Sequence, residues 1–424
     1  MGTKDEAMRK LKTMNSFDGA SAVPPVHTPE EFMGLEETYG AANYHPLPIV
    51  IARARGAWVQ DPLGARYLDM LSSYSALNQG HRHPRIIAAL KAQADRVTLT
   101  SRAFHNDQLG PFLQQLSGMS GFDMVLPMNT GAEAVETGIK ACRKWAYSVK
   151  GVEPGQAEII TAAHNFHGRT TTIVGFSTDS QYQHGFGPFT PGFTSVPFGD
   201  ADALEAAITP NTAAFLVEPI QAEGGIIVPP AGYFQKVRDL CTKHNVLLFM
   251  DEIQTGLGRT GRFLAFEHEG IRPDCVSLGK ALGGGVYPVS AFLAGKEIMA
   301  VFSPGDHGST FGGNPLGAAV ARASLDVIKD EELAERADRL GTKVMKQLTE
   351  IGSPHVSDVR GRGLLIGIEI RKESGPARPF CEALMKRGVL CKETHAQVIR
   401  LAPPLNIDED DLQWAIEQIV EVLR

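Results

Sequence analysis

Lys280 lies in the run S-L-G-K-A-L-G-G-G, and 29 residues earlier the chain reads F-M-D-E-I-Q-T-G, with Asp251 as its acid. Each charged residue closes an apolar stretch, V-L-L-F-M before Asp251 and C-V-S-L before Lys280. Two strand ends of opposite charge, close in sequence, commonly meet at one site of an α/β sheet. A carboxylate there can hold a protonated ring nitrogen, and a lysine amine can condense with an aldehyde. Taken singly, Asp251 reads as a helix cap and Lys280 as a loop residue. In this order, each at the end of a strand, they point to a pyridoxal phosphate site, where the protein supplies orientation and charge.

Four further runs carry chemistry. In M-N-T-G-A-E-A-V-E-T, Thr130, Gly131 and Ala132 open a helix whose free N–H groups suit a phosphate. Thr130 with Glu133 also has the form of a capping box, which is compatible with that role. In H-N-F-H-G-R-T, Phe166 could stack on a planar ring, and Arg169 is a fork-shaped cation suited to a carboxylate. In E-P-I-Q-A-E-G-G, Glu218 and Glu223 follow an apolar strand, and Arg400 is a candidate counter-ion. In H-G-S-T-F-G-G-N-P-L, Ser309 and Thr310 offer hydroxyls for a second phosphate contact. His81 and His83 in G-H-R-H-P lack a third ligand cluster, so no metal is expected.

The elements that must position these residues follow an alternating pattern. Strands are expected at Met124–Met128, Glu158–Ala163, Ala213–Val217, Val246–Met250 and Asp274–Leu278. Helices are expected at Glu133–Val149 and Tyr233–His244. Such alternation argues for an α/β fold with a mainly parallel sheet covered by helices. Past residue 330 the pattern reads as a smaller α+β domain. It has a helix over Glu331–Ile351 and strands at Gly363–Ile370 and Val398–Ala402. A final helix carries Leu412, Ala415, Ile416, Ile419 and Leu423 at the 3.6 period behind Asp408 as N-cap. The expected division is residues 1–80 as N-terminal segment and linker, 81–330 as the large domain and 331–424 as the small one. Within the first part, S-A-V-P-P-V-H-T-P reads as an extended linker.

The 424 residues carry a net charge of −7 and a pI near 6.0, which gives no footprint for nucleic acid or an anionic membrane. No apolar run reaches transmembrane length. Five scattered cysteines without C-x-x-C spacing fit a reducing compartment. The first residues have neither a secretory signal nor a transit-peptide character, so a cytoplasmic location is expected.

The ordered set N-T-G-A, F-H-G-R, E-P-I-Q, D-E-I-Q-T-G, G-K-A-L-G-G-G and H-G-S-T-F-G-G-N-P resembles the class III aminotransferases of the fold type I pyridoxal phosphate architecture. The runs Y-G-A-A-N-Y-H-P-L-P, S-S-Y-S-A-L-N-Q-G-H-R-H-P, T-L-T-S-R-A-F-H-N-D-Q-L-G-P and I-R-L-A-P-P-L are similar, more narrowly, to those of the ornithine aminotransferases. The likeness runs from about Tyr39 to the C-terminus.

That resemblance implies roles. Lys280 would carry the cofactor and shuttle protons, and Asp251 would pair with the ring nitrogen. Gln254 would bond the phenolic oxygen, and Phe166 would stack on the ring. Gly131 and Ala132, with Thr310 of a neighbouring subunit, would hold the phosphate. Tyr44 and Arg169 would grip the α-carboxylate and α-amine of L-ornithine, and Tyr74 would help exclude simpler ω-amines. Glu223 would cover Arg400 in that half-reaction and release it to bind 2-oxoglutarate in the other. Shared contacts imply a homodimer or a larger homo-oligomer. One departure stands out: Q-A-E-G-G replaces Q-G-E-A-G and leans toward ω-amine relatives such as 4-aminobutyrate aminotransferase. The nearest rival reading is another class III ω-aminotransferase, acting on 4-aminobutyrate, lysine or N-acetylornithine.

Overall fold

The computed structural model describes residues 27–424; the amino-terminal residues, with most of the expected linker, lie outside the described part. A helix over Pro29–Tyr39 leads into three short strands, β1 (Arg53–Arg55), β2 (Trp58–Gln60) and β3 (Arg66–Asp69). They form a small sheet completed by β13 (Val389–Leu390), which pairs in parallel with β3. The residues before 80 are therefore stitched to the C-terminal part, a link that no local pattern encodes.

The main sheet has seven strands: β4 (Met124–Met128), β5 (Glu158–Ala162), β6 (Phe193–Val196), β7 (Thr212–Val217), β8 (Leu247–Asp251), β9 (Cys275–Leu278) and β10 (Ser290–Ala294). Their order is β4-β10-β9-β8-β7-β5-β6. Pairing from β6 through β9 is parallel, whereas β10 runs antiparallel to both its neighbours. The fold is the α/β, fold type I architecture. Strands β7, β8 and β9 are buried at every residue, as expected when helices cover both faces.

Helix α1 (Gly131–Trp145) lies so close on β8 that a Cβ on Gly138 would fall 2.2 Å from the Phe249 ring. Its glycine lets the helix, and hence its N-terminus, sit directly over the sheet. Helix α2 (Tyr233–Lys243) connects β7 to β8.

Helix α3 (Pro315–Asp330) gives way to α4 (Leu333–Thr349). A second four-stranded sheet, β11-β12-β15-β14, follows: β11 (Val356–Arg362), β12 (Leu365–Ile370), β14 (Lys392–Thr394) and β15 (Val398–Leu401). The chain closes with α5 (Glu409–Leu423), whose Asp408 N-cap accepts from the Asp410 N–H. The five apolar residues expected on its inner face are all buried. Expected and observed boundaries coincide for Met124–Met128 and otherwise differ by at most four residues.

Candidate active site

Three carboxyl ends of the main sheet converge. β8 ends at Asp251, β7 leads into Glu218, and β9 leads into Lys280. With Gly131, Ala132, Phe166, His167 and Gln254 they line an open cleft of about 630 Å³. This is the region beyond the strand ends where α/β sheets bind ligands.

Asp251 is buried and doubly engaged. One carboxylate oxygen accepts from the Ile253 N–H at 3.0 Å, and the other lies 2.7 Å from His167 Nδ1. The second contact joins residues 84 apart and was not foreseen from sequence. His167 Nε2 is buried without a hydrogen-bond partner. Glu218 is also buried, and its side chain accepts the Phe166 N–H at 3.1 Å. Burial, reinforced by Asp251, pushes its pKa well above the ordinary carboxylate value. Its role as a clamp on Phe166 was likewise not foreseen.

Lys280 adopts φ = +44°, a left-handed conformation costly for a side chain with a Cβ. Its amine loses basicity through burial, partly opposed by the nearby Glu223 carboxylate. A lowered lysine pKa favours the free amine that condenses with an aldehyde.

At the N-terminus of α1, Thr130 accepts from the Glu133 N–H, and Glu133 accepts from the Thr130 N–H at 2.6 Å. The capping box is therefore real. It leaves the N–H groups of Gly131 and Ala132 at the cleft. A Cβ on Gly131 would press on Ile253 at 3.0 Å, so bulk is excluded there.

The second sheet supplies Arg400 from β15. Its guanidinium bonds Glu223 at 2.5 Å and covers the Tyr74 ring at 4.6 Å. Gln254 donates to the same Glu223 oxygen at 3.2 Å, and its own side-chain oxygen is buried without a partner. Thr394 donates to the Glu223 carbonyl at 2.6 Å, tying the loop to β14. Tyr74 belongs to four successive residues, Ser72–Ser75, with φ between +48° and +70°. Such a left-handed turn without glycine is strained. Asp69 secures it by accepting from the N–H groups of Leu71 and Ser72, both at 2.9 Å.

Arg169 is exposed and stacks on Tyr182 and Phe166. Tyr44 is 71 % exposed, and its phenol is near enough to influence ionisation of Tyr74. Thr310 is exposed and does not line the cleft of its own chain. The adjacent Ser309 hydroxyl accepts from the Asn129 amide at 2.8 Å, which anchors that loop. His81 and His83 pair with Asp69 and Glu331. Among the described residues, no group of three or more His, Cys, Asp or Glu side chains is placed to hold a metal ion. No helix among them is long and apolar enough to cross a membrane.

Residues 39–423 match the family model of the class-III aminotransferases. The chain belongs to the class III aminotransferases. It is 60% identical over 387 residues to the ornithine aminotransferase of Brevibacillus brevis, covering 91% of this chain and 96% of that protein. Among solved structures, an ornithine aminotransferase from Toxoplasma gondii superposes with a TM-score of 0.93 at 44% identity, covering 100% of this chain and 97% of the other. In that relative, pyridoxal phosphate (PLP) partially occupies the active site. An acetylornithine aminotransferase from Elizabethkingia anophelis gives a TM-score of 0.85 at 46% identity, covering 94% and 99%.

PLP is the cofactor of this family, and the cleft fits it. Asp251 meets the need for a buried carboxylate, Lys280 for an amine and the start of α1 for a phosphate cradle. The unpartnered side-chain oxygen of Gln254 and the unpartnered His167 Nε2 mark polar groups at the cleft whose needs the protein does not meet.

Proposed function

We propose that the chain is an ornithine δ-aminotransferase. It would transfer the δ-amino group of L-ornithine to 2-oxoglutarate, giving glutamate 5-semialdehyde, which cyclises to pyrroline-5-carboxylate, and L-glutamate. The 60% identical relative bears that name, and the side chains here suit the chemistry.

Bound PLP would supply an electron sink for the carbon that bears the reacting amine. Around it, Asp251 would keep a positive charge at the ring nitrogen, and Phe166 would flank the ring. Gln254 would face the phenolic oxygen. Thr130, Gly131 and Ala132 would cradle the phosphate, with Thr310 reaching in from a second copy, so the minimum assembly is a homodimer. Lys280 Nζ would anchor the cofactor and then take and return the proton of the substrate carbon that bears the reacting amine. Residues 81–330 would hold the cofactor, and 331–424 would bring Arg400. We place the enzyme in the cytoplasm.

The Glu223–Arg400 ion pair carries the substrate reading. A bare Arg400 beside Lys280 would draw an α-carboxylate to the reacting position and favour the wrong amine of ornithine. Covered by Glu223, it leaves the δ-amine to react while Arg169 and Tyr44 hold the distant carboxylate and amine. Tyr74, held against Arg400, would narrow the entrance against simpler amines. For 2-oxoglutarate, Glu223 must swing away and expose the cation. A second reading, another ω-aminotransferase, is favoured by the Q-A-E-G-G run and by the acetylornithine enzyme among the structural relatives.

A donor panel with 2-oxoglutarate separates the two readings. Ornithine should exceed 4-aminobutyrate, lysine and N-acetylornithine in kcat/KM. A better rate with any of these rejects the assignment. Borohydride reduction of the holoenzyme followed by peptide mapping should place the label on Lys280. Lys280→Ala should lose turnover by orders of magnitude.

A further inference from the structure

The guanidinium of Arg169 lies 4.2 Å from the centre of the Tyr182 ring and 5.6 Å from that of Phe166. The two rings meet edge to face, 6.1 Å apart at 78°. Tyr182 thus joins the cation to the aromatic ring at the edge of the cleft. It sits in a one-turn helix, Ser180–Gln183, that is tied down at both ends. Asp179 accepts from the Gln181 N–H at 2.9 Å, and Gln183 donates to the carbonyls of Gly175 and Ser177 at 3.2 and 2.7 Å. The half-buried phenol stays protonated: burial pushes its pKa up, Arg169 opposes this, and Asp179 and Glu223 add to it.

A ring face fixes the plane of a guanidinium without cancelling its charge, leaving the N–H edge for a carboxylate. A carboxylate partner in the same place would occupy that edge. We infer that Tyr182 is a positioning residue that orients Arg169 toward donors whose carboxylate lies remote from the reacting amine. It would thereby set the preference for such donors over plain diamines. The inference rests on the reading of Arg169 as the carboxylate-binding cation of the donor half-reaction.

The test compares wild type, Tyr182→Phe and Tyr182→Ala holoenzymes on ornithine, 4-aminobutyrate and 1,4-diaminobutane, which is ornithine without its carboxylate. The readout is kcat/KM for the wild type's preferred carboxylate-bearing donor divided by that for the diamine. In Tyr182→Ala this ratio should fall about fivefold, mainly through KM, the scale of a partly exposed cation–π contact. Tyr182→Phe keeps the ring face and should stay within about twofold of wild type. Equal losses on all three donors, or a Phe variant as impaired as the Ala variant, overturn the inference. A wild type that prefers 4-aminobutyrate refutes the ornithine reading instead. The Tyr182 ratio remains readable in that case, because both donors carry the remote carboxylate.

Discussion

The site holds two arginines in opposite states. Arg400 stands on a strand, is 1% exposed, and is bonded to Glu223. Arg169 is itself exposed, on a loop whose neighbouring residues are buried or half-buried, and rests against aromatic rings. A buried guanidinium needs a counter-charge, because an unpaired one costs several kcal/mol. An exposed guanidinium does not, and a ring can hold it in place with its charge unspent. On the proposed function the difference would amount to a switch and a fixed post. Arg400 would serve a carboxylate only after Glu223 leaves, whereas Arg169 would be ready at all times. Under that reading, one cleft that takes two substrates of different length would use one cation of each kind.

Removing each cation in turn is the harshest test of that contrast. Arg400→Leu should reduce kcat/KM for the 2-oxoglutarate half-reaction by about a hundred- to a thousandfold. The ornithine half-reaction should fall by less than about tenfold, since that substrate does not use Arg400. Arg169→Leu should weaken ornithine by about tenfold to a hundredfold. Single-turnover absorbance measurements separate the halves. Equal losses in both halves for Arg400→Leu would break the contrast.

A smaller effect concerns pH. Burial pushes the Glu223 carboxyl up, but the charges of Arg400 and Lys280 more than offset this and hold it below the ordinary carboxylate range. A carboxyl lowered in the folded state contributes stability above its unfolded pKa, near 4.3, and loses it only as pH falls through the lower folded value. The Glu223 carboxylate should therefore stay ionised from about pH 6 to 8. The wild-type glutamate-to-ornithine ratio should change by less than about twofold across that range. A strong inflection there would mean that the pair titrates, and that Arg400 is not reliably covered.

The sequence exposed the chemistry better than its support. Asp251, Glu218 and Lys280 were legible because each follows a run that is apolar or nearly so, the mark of a strand buried on both faces. Thr130 and Asp408 were legible because capping is local. Strand β10, S-A-F-L-A, closes on no charged residue that would mark its end, and its antiparallel pairing depends on its neighbours. The left-handed turn at Ser72–Ser75 runs against local preference and exists because Asp69 and the surrounding chain impose it. The contact between His167 and Asp251 bridges 84 residues, and the stack of Tyr182 on Arg169 has no motif at all. Such contacts belong to the fold and not to any window of the chain.

The most direct test of the switch is Glu223→Ala, with the glutamate and ornithine half-reactions followed separately by stopped-flow absorbance. Uncovering Arg400 should raise kcat/KM for glutamate relative to ornithine by about tenfold, the scale of one charge-assisted contact. An unchanged ratio would show that Glu223 does not govern access to Arg400, and the two-state account of that arginine would be wrong.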